Sequence, residues 1–339
     1  MKTSNILNVG VIGTGRIGKV HAEHLAFRLP HARLVAVADA NRPSAEACAA
    51  QFNVPHVCGD SAAMLAMDEI DAVVICSSTD THARLIEEAA AAKKHIFCEK
   101  PIDYNLARID AALNAVEKAG VKFQVGFNRR FDPNFLEVRR KIEAGAIGEP
   151  HLLRITSRDP APPPLEYVKV SGGMFLDMTI HDFDMARYLA GTEIETVYAA
   201  GAVLVDKGIG EAGDIDTALI TLHFANGALG AIDNSRKAIY GYDQRVEVFG
   251  SKGMIAADNN APTRTRWSNA EGIHAPLPYN FFMDRYIDSY ISEMDLFVQA
   301  VLNDAKPPVT GLDGRIPVVI GLAAQRSLKE KRPVALSEM

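Results

Sequence analysis

The chain has 339 residues, 36 of them Lys or Arg and 42 Asp or Glu, for a formal charge of −6 with histidine neutral. With 48% hydrophobic and 23% charged residues, it has the apolar content of a folded protein and the length of about two domains, which excludes a disordered chain. The densest cationic stretch, Lys329 to Arg332, is interrupted by Glu330, so the basic footprint that nucleic acid or an anionic membrane requires is missing.

In the first third, β-branched runs alternate with alanine-rich helical stretches, the pattern of a parallel sheet covered by helices on both faces. Strands are predicted at Asn8 to Ile12, Leu34 to Ala38, around Val57, Ala72 to Cys76, His95 to Cys98 and Lys122 to Val125. Helices are expected at Lys19 to Leu29, Ser44 to Phe52, Thr81 to Ala92 and Asn105 to Ala119. Together they predict a doubly wound Rossmann domain over residues 1–126.

Residues 127–339 follow a different grammar, read as an α+β domain on an open, mostly antiparallel sheet. A helix over Asn134 to Gly145 precedes an extended run, His151 to Ser157, and a proline-rich loop, Asp159 to Leu165. One helix is then expected from Met174 to Leu189, followed by strands at Thr196 to Val205, Thr217 to Phe224, Ala228 to Asn234 and Arg245 to Phe249. Helices over Met283 to Leu302 and Asp313 to Lys329 close the chain, the second expected to pack back on the first domain. The sequence has no internal repeat and no run long enough to span a membrane. Its four cysteines, Cys48, Cys58, Cys76 and Cys98, form no C-x-x-C pair, which points to a reducing, cytoplasmic setting.

Gly13-Thr14-Gly15-Arg16-Ile17-Gly18 follows the first strand and opens the first helix, the context that gives G-x-G-x-x-G its meaning as a dinucleotide site. Gly13 allows the tight turn, Gly15 lets a pyrophosphate approach the backbone, Gly18 permits helix-to-strand packing, and the helix N-terminus offers N–H groups to the anion. Asp39 ends the second strand about 20 residues further on, where a carboxylate accepts from ribose hydroxyls and repels a 2′-phosphate, favouring NAD over NADP, with Arg42 nearby as a counterweight. Ser77, Glu99 and Lys100, at the ends of the fourth and fifth strands, complete the expected cofactor set.

Cys98-Glu99-Lys100-Pro101 lies at the carboxyl end of the fifth strand, where open α/β sheets bind ligands. Lys100 there could hold a substrate hydroxyl and favour its alkoxide-like state; the alternative is an ordinary surface lysine. Asp177 and His181, four apart on the helix expected there, would share a face. A carboxylate orienting an imidazole is what a general base for an alcohol requires, against a buried structural histidine or a metal site that also uses Asp182 and Asp184. Tyr240, Tyr242, Tyr286, Tyr290, Asn128, Arg129, Arg158 and Asp159 form a second tier of polar groups suited to a polyol. His82 and His151 are read as structural. No metal is expected.

The stretches GTGRIGKVHAEHL, SSTDTHARLIEEA, CEKP, QVGFNRRFDPNF, IGEPH and SGGMFLDMTIHDFDMARYL occur in this order. They resemble the glucose-fructose oxidoreductase, inositol dehydrogenase and rhizopine catabolism superfamily over almost the whole chain. VLVDKGIGEAGDID and YGYDQRVEVFGSKG are similar to its inositol 2-dehydrogenase subgroup. The resemblance implies NAD-dependent oxidation of myo-inositol to 2-keto-myo-inositol, usually in a homotetramer built through the open sheets, with Lys100, Asp177 and His181 as the catalytic group. It also implies substrate contacts by Lys100, Asn128, Asp177, His181, Tyr242 and Tyr290, to which the residue pattern adds Asp159 of the second tier. A dehydrogenase for scyllo-inositol or a related pyranose, and a non-catalytic NAD-binding sensor, are the competing readings.

Overall fold

Six short runs, Leu7–Ile12 (β1), Ala32–Ala38 (β2), His56–Cys58 (β3), Ala72–Ile75 (β4), His95–Glu99 (β5) and Phe123–Gly126 (β6), form one sheet in the computed structural model, which describes residues 6–339. Their order is β3-β2-β1-β4-β5-β6 and every pair is parallel, the doubly wound arrangement whose order reverses between β1 and β4. Helices Arg16–Phe27, Arg42–Phe52, Thr79–Ala91 and Leu106–Ala119 make the crossovers, with a short helix, Ser61–Leu65, that the sequence pattern does not announce. Val9, Val11, Val37, Val74 and Phe97 are almost fully buried, as expected of a sheet covered on both faces.

The chain divides into two compact units, residues up to Phe131 with Asp288–Ile316, and Asp132–Ile287 with Pro317–Met339. The expected helix from Met283 to Leu302 is two pieces, Phe282–Arg285 and Ile287–Leu302. The longer piece belongs largely to the first unit, where Met294, Phe297 and Val298 join the core around β1 and Phe97. The terminal helix, Gly311–Glu330, contains Pro317 at the unit boundary. Before it Gly314 lies against Ile102 and Val125, and after it Gly321 lies against Leu176; at each, an added Cβ would collide.

In the second unit Pro150–Arg158 (β7), Ile194–Ala202 (β8), Thr217–Phe224 (β9), Leu229–Ser235 (β10), Asp243–Gly250 (β11) and Gly253–Ala257 (β12) form a sheet. Beyond the small hairpin of Trp267–Asn269 (β13) and Gly272–His274 (β14), the terminal strand Val334–Ala335 (β15) completes the order β12-β11-β7-β10-β9-β8-β15. Only β7 and β10 run parallel. Burial alternates along β9 and β10, so one face is core and the other exposed.

The helix expected from Met174 to Leu189 is interrupted. Met174–Asp177 is a single turn and Ile180–Ala190 a second helix. At the junction the Thr179 N–H reaches the Met174 carbonyl, five residues back, and the Thr179 hydroxyl donates to Asn234 Oδ1 on β10 at 2.6 Å. Asp177 thus ends one helix and His181 begins the next, a correction to their placement on one continuous helical face.

Candidate active site

The glycine turn has the geometry its sequence requires. Gly13 adopts a φ of +93°, and a Cβ there would lie 2.6 Å from the Cys76 carbonyl. A Cβ at Gly18 would strike the Gly13 oxygen. At Gly15 a Cβ would meet nothing within 4 Å, so its backbone borders open space. The helix that begins at Arg16 has no side-chain cap and no acidic residue in its first turn, which suits its N-terminus to an anion.

Asp39 closes this turn from the end of β2. Its Oδ2 accepts from the Thr14 backbone N–H at 2.6 Å and the Thr14 hydroxyl at 3.0 Å, and Oδ1 accepts from the Asn41 N–H at 2.8 Å. A carboxylate has about four acceptor sites, so it retains capacity for ribose hydroxyls. Arg42, the counterweight to this assignment, pairs with Glu46 at 2.8 Å on the exposed face of its own helix.

At the carboxyl ends of β4 and β5, Ser77 Oγ lies 2.7 Å from Thr81 Oγ1, and Glu99 Oε1 lies 2.8 Å from Nε2 of the buried His21. His82 links the two turns. Its Nδ1 is 2.8 Å from the Pro101 carbonyl and its Nε2 3.0 Å from the Ser77 carbonyl. Burial pushes this imidazole below its ordinary pKa, against the opposing pull of the two carbonyls. The structural reading of His82 therefore has a definite content: it ties the Lys100-Pro101 turn to the end of β4. Asn128 is buried, and its amide nitrogen has no hydrogen-bond partner among the described residues. Tyr290 packs edge-on against His21, 5.8 Å between ring centroids.

The second unit carries the remaining candidates. Asp177 accepts from the Tyr167 hydroxyl on Oδ1 at 2.8 Å and from Arg236 Nη2 on Oδ2 at 2.9 Å. Arg236 Nη1 donates to Asp159 at 3.3 Å. His181 stands between two anchors. Thr179 and Asp182 both bond the side chain of Asn234, the latter at 2.8 Å. Tyr242 is buried, edge-on to Tyr286 at 6.0 Å. Arg158 and Tyr240 are bound within the sheet, Arg158 donating to Asp233 and to the Tyr240 hydroxyl, which donates to Asp243. Among the described residues, no group of three or more His, Cys, Asp or Glu could hold a metal ion.

Residues 7–127 match the oxidoreductase family with an NAD-binding Rossmann fold, and residues 135–256 match the GFO/IDH/MocA C-terminal domain. The chain is 50% identical to a myo-inositol 2-dehydrogenase of Thermotoga maritima, covering 98% of this chain and 99% of that one. It is 49% identical to an inositol 2-dehydrogenase of Rhizobium meliloti, covering 97% and 98%. The chain belongs to the GFO/IDH/MocA oxidoreductase family. A solved scyllo-inositol dehydrogenase of Lactobacillus casei, with bound NAD(H) and scyllo-inositol, superposes with a TM-score of 0.92 at 31% identity, over 98% of this chain and 99% of that one.

As a member of this family the chain is an NAD-dependent oxidoreductase, and the open space at Gly15, the uncapped helix and the Thr14-oriented Asp39 fit that cofactor. Sequence reasoning missed Tyr167, Asn234 and Arg236. Arg236 and Asn234 lie in an ordinary alternating strand and its continuation, and nothing in the local pattern distinguishes them from solvated polar residues.

Proposed function

We propose that this chain oxidises myo-inositol at its axial hydroxyl to 2-keto-myo-inositol. What carries the reading is that Lys100, Asp177 and His181 accompany the NAD-binding turn in a chain about half identical, nearly end to end, to inositol 2-dehydrogenases. Gly13, Thr14, Gly15, Arg16, Ile17 and Gly18 would hold the pyrophosphate, Asp39 the adenosine ribose, and Ser77, Glu99 and Lys100 the nicotinamide end. When bound, NAD supplies the hydride acceptor.

His181, oriented by Asp177, takes the hydroxyl proton as the carbon loses hydride and the C–O bond becomes a carbonyl. Lys100 holds that oxygen and stabilises the negative charge it develops. Asn128, Asp159, Tyr242 and Tyr290 meet the remaining hydroxyls, and the unpartnered buried amide of Asn128 supports its place in this set. A second reading, oxidation of scyllo-inositol, is favoured by the Lactobacillus casei structure. The two epimers give the same ketone, and one displaced hydroxyl changes a hydrogen bond worth about 1 kcal/mol net.

We also infer a cytoplasmic homotetramer. Its support is a set of four free, buried cysteines and an exposed apolar row, Met254, Phe249, Leu152 and Leu229, paired across β12, β11, β7 and β10. No helix among the described residues is long and apolar enough to cross a membrane. The mechanism is tested with His181→Ala and Lys100→Ala. Turnover is expected to fall roughly 10²–10⁴-fold in the first and roughly 10²–10³-fold in the second, with NADH affinity, measured by fluorescence, unchanged. Native turnover in either variant would remove that residue from the scheme.

A further inference from the structure

Two elements distant from the helix turn Met174–Asp177 deliver donors to its last side chain. Tyr167, on the short helix Leu165–Val168 that follows the proline-rich loop, holds Asp177 Oδ1 at 2.8 Å, and Arg236, just beyond β10, holds Oδ2 at 2.9 Å. The Arg236 side chain is only 4% exposed. The same guanidinium reaches Asp159 at 3.3 Å, and Asp214 is a third carboxylate in its field. Asp214 Oδ1 in turn accepts the Met174 N–H at 3.0 Å, at the start of the turn that Asp177 ends. Burial works against the charge on Arg236, yet Asp177, Asp159 and Asp214 hold it more firmly protonated than a free guanidinium.

A one-turn helix cannot by itself fix the direction of its final carboxylate, because the terminal torsion of aspartate is broad. Charge-assisted bonds from two sides can. The planar guanidinium is suited to this because its rigid fork presents separate N–H groups to two carboxylates in fixed directions, whereas an ammonium is a point charge on a flexible stem. The backbone near Arg236 is anchored independently, its N–H donating to the Asp216 carbonyl at 2.8 Å.

We infer that Arg236 is a positioning residue for the reaction: with Tyr167 it fixes both oxygens of the Asp177 carboxylate and so presets the group that orients the general base. This rests on the role proposed above for Asp177. It also gives the proline-rich loop a task, the delivery of Tyr167 to that carboxylate.

The test compares Arg236→Lys, Arg236→Gln, Tyr167→Phe and Asp177→Asn in steady-state kinetics with NAD and myo-inositol across pH, alongside NADH affinity and circular dichroism. Arg236→Lys keeps a cation but loses the fork. It is expected to lower kcat about 10- to 100-fold, the scale on which misplacing a reacting group acts, with the acidic limb of the kcat profile in place. Arg236→Gln leaves Asp159, Asp177 and Asp214 without their shared cation, so its kcat should fall further and the acidic limb should move to higher pH. Tyr167→Phe should lower kcat severalfold with native NADH affinity. Folded Arg236 variants with native kcat and native pH profile, beside an inactive Asp177→Asn, would overturn the inference while leaving the role of Asp177 intact. If Arg236→Gln does not fold, native kcat in both Arg236→Lys and Tyr167→Phe overturns it equally. A fully active Asp177→Asn would instead overturn the underlying role of Asp177.

Discussion

Glu293 shows how a residue becomes meaningful only through its surroundings. It lies on the helix Ile287–Leu302, fully buried, and neither carboxylate oxygen has a hydrogen-bond partner among the described residues. Burial first, and the nearby Glu99 carboxylate second, push its pKa well above the ordinary range. The folded chain therefore keeps a proton that the unfolded chain releases above about pH 4.3, and linkage makes stability fall as pH rises beyond that point. Glu293→Gln removes this titration, so its unfolding midpoint relative to the native chain should rise as pH is raised beyond that point in denaturant melts; a constant difference would contradict the assignment. In sequence Glu293 is one acid on an amphipathic helix, indistinguishable from a solvated one. Gly13 and Gly18 are legible because a tight turn and a close helix-to-strand approach leave no room for a Cβ there, whereas Arg236 and Tyr167 depend on partners 59 and 10 residues away in the chain.

At the scale of elements, short β-branched runs located all six strands of the first sheet, because strands buried on both faces leave continuous apolar runs. What patterning could not locate was set by tertiary contacts. The break at Met178 and Thr179 contains no Gly or Pro to announce it, and there the Thr179 hydroxyl bonds Asn234 instead. The helix Ile287–Leu302 carries an apolar stripe that could serve either unit, and only packing assigns Phe297 and Val298 to the first. The outward row of the second sheet makes a direct prediction. Phe249 and Leu229 each pair with Leu152 and are 45% and 42% exposed, so, if this row joins the proposed tetramer, Phe249→Glu combined with Leu229→Lys should lower the mass measured by light scattering. An unchanged mass would place the interface elsewhere.

On the scale of the whole molecule, the chain crosses between its two units three times, so each unit's core is built from segments far apart in sequence. The expected cofactor residues, with Lys100, Asn128 and Tyr290, belong to the first unit, and Asp159, Asp177, His181 and Tyr242 to the second. The chemistry of a nicotinamide dehydrogenase could be read from residue types alone. The polyol could not, since a ring of hydroxyls asks only for many polar partners, and its identity rests on kinship. The most direct measurement is therefore the initial rate of NADH formation at alkaline pH with myo-inositol, scyllo-inositol, chiro-inositols and glucose, each with NAD and with NADP. The highest kcat/KM is expected for myo-inositol with NAD; NAD binding without turnover of any polyol, or a clear preference for glucose, would contradict the proposed reaction.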